Sequence, residues 1–60
     1  MNRVVEILMK RDNIDEEYAL SLVKETRDEI LSSENPFEVD DIIADYLGLE
    51  PDYLEDILSI

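Results

Sequence analysis

Residues 15–32 read DEEYALSLVKETRDEILS, and this stretch decides the fold. Ala19, Leu22, Val23, Thr26 and Ile30 recur at three- and four-residue steps, so a helix gathers them on one stripe, which Leu20 and Leu31 widen. Ser21, Lys24, Glu25, Asp28 and Glu29 fall on the opposite side, where their charges stay in water. Asp15 suits the cap at the start, because its carboxylate accepts hydrogen bonds from the unpaired amides of the first turn. Glu16 and Glu17 then sit at the positive end of the helix dipole. Ile14, just ahead of the cap, is placed to fold back as a hydrophobic staple. The spacing predicts the longest helix of the protein, running to about Ser32.

Reading outward, Met1, Val4, Val5 and Leu8 recur at helical spacing, and Glu6 and Lys10 form an acid-first pair one turn apart. A first helix over about residues 2–11 follows, joined to the second by the tight connection Arg11-Asp12-Asn13-Ile14. Downstream, Ser32-Ser33-Glu34 breaks the pattern, and Asn35-Pro36 supplies a cap with proline at the first helical position. Val39, Ile42, Ile43, Tyr46 and Leu47 then share one face, with Asp40, Asp41 and Asp45 off it. Gly48 is placed to end that helix in a left-handed cap, which Leu49 can close with an apolar contact. Glu50-Pro51 restarts a helix at once, and Tyr53, Leu54, Ile57 and Leu58 form its apolar face. The pattern predicts an all-α protein, a small bundle of three helices plus a short C-terminal fourth helix, in a single domain over residues 1–60.

A chain of 60 residues buries only about 60% of the surface its unfolded form exposes, so its core is small. The 45% hydrophobic fraction is nevertheless that of a folded chain. Cysteine and histidine are both absent, which excludes disulfides, thiolate metal sites and histidine-based catalysis. The opening MNRVVEILMKRD lacks the apolar run of a signal peptide, and no stretch approaches the roughly 20 apolar residues that span a bilayer. A cytoplasmic location is expected.

Charge divides the chain. Residues 1–27 hold all five cations (Arg3, Lys10, Arg11, Lys24 and Arg27) against six acids, whereas residues 28–60 hold eleven acids and no cation. The second half should repel phosphate backbones and anionic membranes and attract basic surfaces, so no direct nucleic-acid or membrane contact is expected. The carboxylates do not follow the spacing of a calcium loop, with its glycine at the sixth position and glutamate at the twelfth. A carboxylate pair working as acid and base needs an apolar pocket that a bundle this small has little interior to build. The serines have no histidine to activate them, and Lys10 and Lys24 lie on polar faces. Neither an enzyme nor a cofactor is expected.

The segment Leu47-Gly48-Leu49-Glu50-Pro51-Asp52-Tyr53-Leu54, followed by Glu55-Asp56-Ile57-Leu58, resembles the C-terminal signature of short, acidic, uncharacterised proteins of Firmicutes, their phages and mobile elements. A basic first helix and an acid-capped second helix precede that signature here as in those proteins. Asp15 departs from the serine or threonine expected at the cap. The resemblance implies a phage-related or mobile-element setting and carries no activity or site residues with it.

These readings converge on a non-enzymatic regulatory or adaptor module that binds a basic protein surface, with a DNA-mimic inhibitor of a nucleic-acid enzyme as the alternative. The expected contact residues are Asp41, Asp45, Asp52, Tyr53, Glu55 and Asp56. Tyr18 and Tyr53, each flanked by acids in a first helical turn, are expected to be exposed anchors, and Tyr46 to edge the core or a dimer seam. Because four short helices display more apolar surface than one small core readily covers, a homodimer is also expected.

Overall fold

The computed structural model describes residues 2–60. Four helices follow in order: α1 (Arg3–Asp12), α2 (Glu16–Ser32), α3 (Glu38–Leu47) and α4 (Leu54–Leu58), with a 3-10 turn over Pro51–Tyr53 leading into α4. Met1, which the sequence pattern adds to the first apolar stripe, lies outside the described residues.

Each helix begins and ends for a local reason. The Asn2 side chain caps α1 by accepting from the Val4 amide at 2.8 Å, and Asn13 closes it in the left-handed region at φ 53°. Asparagine tolerates that region better than most side chains, since its amide can bond locally. Asp15 caps α2 from an extended backbone and accepts from the Tyr18 amide at 2.8 Å. Ile14 is half-buried against the core, as a staple requires.

Entry to α3 differs from the expectation that the helix follows Asn35-Pro36 directly. Its first turn is wound with the Glu38 amide donating to Asn35 O at 3.0 Å and the Val39 amide to Pro36 O at 3.4 Å. These three-residue steps are tighter than α geometry, so the α-helix proper begins at Glu38. Gly48 ends it at φ 66°, its amide donating to Ala44 O at 2.9 Å. The restart at Pro51 likewise takes 3-10 form for three residues before α4 sets in.

The long helix α2 is the axle of the bundle. It packs against α1, α3 and α4, while α4 also touches α1, and the 3-10 turn rests on α3 and α4. Val4, Val5 and Leu8 from α1, Ala19, Val23 and Ile30 from α2, Ile43 and Leu47 from α3, and Ile57 from α4 form the buried core. Thr26 is the one buried polar side chain among the described residues, and its hydroxyl donates to Leu22 O, one turn back, at 2.8 Å. A buried hydroxyl without a partner would cost roughly 1–3 kcal/mol, and this bond avoids that cost. Leu31 does not widen the core stripe as expected, because it lies in the last turn of α2 and is 67% exposed. No described helix is long and apolar enough to cross a membrane.

Candidate interaction surface

The six acidic-half residues expected to meet a partner separate into two groups. Asp41 and Asp45 are exposed one turn apart on α3, and Asp52 and Glu55 are exposed around the start of α4. Tyr53 and Asp56 instead face inward to Arg3. The Arg3 guanidinium stacks over the Tyr53 ring, 4.7 Å from its centroid, and its Nε donates to Asp56 Oδ2 at 3.0 Å. Asn2 adds a bond from Nδ2 to Asp56 O at 2.6 Å. Both residues therefore join α1 to α4, which corrects the expectation that Tyr53 is an exposed anchor. The aromatic ring offers Arg3 a face that a free surface would offer a partner.

The other arginines of the first half also turn toward the second. Arg11 donates from Nη1 to Gly48 O at 3.3 Å, against the left-handed cap of α3, and pairs with its neighbour Asp12 at 2.9 Å. The Arg11 guanidinium holds the Asp12 carboxyl below the usual carboxylate range, chiefly through their hydrogen bond, and Asp12 raises Arg11 in return. Arg27, half-buried on α2, donates to the main-chain oxygen of Ile60 and pairs with Asp28 at 3.2 Å. Among the described residues, the ion pairs reach only Asp28 and Asp56 of the eleven acids in residues 28–60. The other nine have no paired cation among the described residues.

The tyrosines occupy three environments. Tyr18 is 58% exposed, matching the expectation of a solvent-facing ring. Tyr46 is 44% exposed, a ring at the edge of the core and not within it. It looks toward α2, where the Glu29 carboxylate first, then partial burial, then Glu25, push its phenol above the ordinary value. Negative neighbours raise a phenol in this way because they disfavour a second negative charge.

Phe37, at 85% exposure the most open large hydrophobic side chain among the described residues, is not among the contacts expected from the sequence. A signal was present. Phe37 falls off the Val39-Ile42-Ile43-Leu47 face and follows Pro36 directly, so it belongs to a turn rather than to the stripe. Among the described residues, no cluster of three or more acids is arranged to hold a metal ion, and no pocket opens. The chain matches no protein-family model, no curated protein and no solved structure.

Proposed function

We propose that the protein is a non-enzymatic interaction module whose acidic second half docks on a basic protein surface. The observation that carries this reading is the disposition of charge. The arginines that would neutralise the second half are spent on tying α1 and α2 to it, and nine acids are left for another molecule. Exposed carboxylates on short helices packed against the bundle hold their spacing, which favours fast, electrostatically steered encounter with a cationic partner.

The alternative, mimicry of DNA, draws on the long axis of the body, 31 × 17 × 15 Å in its principal extents. Over such a length a duplex presents about one phosphate charge per 1.7 Å, a density that a net charge of −12 begins to approach. Leu31 and Phe37 weigh toward the first reading, since a copy of a phosphate backbone has no use for exposed apolar side chains.

The test is capture from host lysate on the immobilised protein, with elution in rising salt and a parallel column carrying Asp41→Asn with Asp45→Asn. A basic protein that elutes with salt and is retained less by the variant is the expected result. Capture of a nucleic-acid enzyme that duplex DNA displaces would move the assignment to mimicry. A column that retains nothing basic would remove the proposal.

A further inference from the structure

Phe37 and Leu31 are the two most exposed large hydrophobic residues, at 85% and 67%. Six positions apart, they flank the reversal from α2 into α3, so both stand at one end of the bundle. The backbone beneath Phe37 is held in place. Its amide donates to Asn35 Oδ1 at 3.0 Å, Ser33 Oγ donates to Asn35 O at 3.1 Å, and the Glu38 amide donates to that same oxygen at 3.0 Å. Pro36 removes further freedom from the turn. An aromatic ring fixed at its root and open to water is pre-organised for contact, because little backbone entropy remains to be lost on binding.

Charge around this end decides what fits it. Asp28, Glu29, Glu34, Glu38, Asp40 and Asp41 are all exposed within the same stretch of chain, and residues 28–41 contain no cation. Asp28 alone among them has an ion-pair partner among the described residues. A second copy would bring an equally acidic rim against this one, and an anionic membrane would be repelled. A helix or strand carrying an apolar anchor between lysines or arginines meets both features at once. We propose that the Leu31–Phe37 end receives a lysine- or arginine-rich amphipathic segment of another protein, its apolar side chain seated on Phe37 and Leu31 and its cations facing the carboxylate rim. The inference rests on the reading that the acidic half meets a basic protein, and it narrows the centre of contact to the α2–α3 turn.

The test uses two synthetic probes on the 60-residue protein at low salt: an amphipathic leucine-lysine peptide, and a peptide of equal charge whose leucines are replaced by serine. Amide chemical-shift mapping on the unchanged protein should place the leucine-lysine peptide on residues 28–41. Its affinity should fall by roughly tenfold or more in Leu31→Ser with Phe37→Ser, and by less than roughly threefold in Asp52→Asn with Glu55→Gln. Circular dichroism of each variant checks that the helices persist. Shifts centred on residues 50–56, or equal affinity for the serine peptide, would overturn the anchored site and leave the broader charge reading standing. Failure of both peptides to bind would remove both. Shifts of the same residues with protein concentration alone would assign this end to a second copy and overturn the proposal.

Discussion

Arg3 shows how one side chain changes the use of others. It lies on a Tyr53 ring and against the Asp56 carboxylate, so two residues that read as surface contacts from the sequence become fastenings between the first helix and the last. The Arg3 side chain is 62% exposed, which limits the worth of its contacts. An open ion pair and an open cation–π contact together contribute about 1 kcal/mol. Arg3→Gln should therefore lower stability by about that amount in urea titration, and a double-mutant cycle with Asp56→Asn should return a coupling of less than ~1 kcal/mol. At the same scale, Tyr46 sets an alkaline limit. Its folded pKa is raised above its unfolded one, so its contribution is fully present below the ordinary phenol range and is lost as pH rises through the folded value. Tyr46→Phe should flatten the alkaline side of the stability profile, read as thermal midpoints from pH 9 upward, with the ultraviolet titration of tyrosinate locating the group.

Among the elements, α4 depends most on a single residue. It has five residues, and Ile57 is its only fully buried side chain. Ile57→Val should cost about 0.5–1.5 kcal/mol and Ile57→Ala about 2–5 kcal/mol, the latter comparable to the whole stability of a domain this small. Urea midpoints give the first value. Amide exchange gives the second, with protection lost in α4 before the middle of α2.

The elements also mark what could be read from the sequence. The capped start of α2 and the glycine end of α3 are legible because the Asp15 carboxylate and the Gly48 backbone both act on residues close to them in the chain. The 3-10 entries to α3 and α4 were not, since Pro36 and Pro51 announce a helical start without specifying how tightly its first turn winds. For the surface, Asp41, Asp45, Asp52 and Glu55 were legible as exposed acids from helical period alone. The placement of Tyr53 and Asp56 against Arg3 joins residues fifty or more positions apart, and no local pattern carries that information. Leu31 misled because periodicity gives its angle around α2 but not where a neighbouring helix stops.

For the whole molecule, the balance is between the two ion pairs that join the halves among the described residues, Arg3 with Asp56 and Arg27 with Asp28, and a net charge of −12. Screening acts over about 10 Å at 0.1 M salt, weakening both, but the repulsions are the more numerous. The melting temperature should rise with added sodium chloride, at roughly 4–8 °C for each kcal/mol gained. A fall would mean that the contacts of Arg3 outweigh the crowding of the acids.

The bonds from Asn2 to Asp56 and Ser59 span 54 and 57 positions, the longest sequence separations in the hydrogen-bond network of the described residues. During folding, α1, α2 and α3 can pair through their nearer contacts while those between α1 and α4 are still unformed. The cost of closing a loop grows with its length, so this seam is formed only after the nearer pairings have shortened the gap. Until it closes, the part of the first helix that α4 covers stays open to water, although α2 already shields the rest.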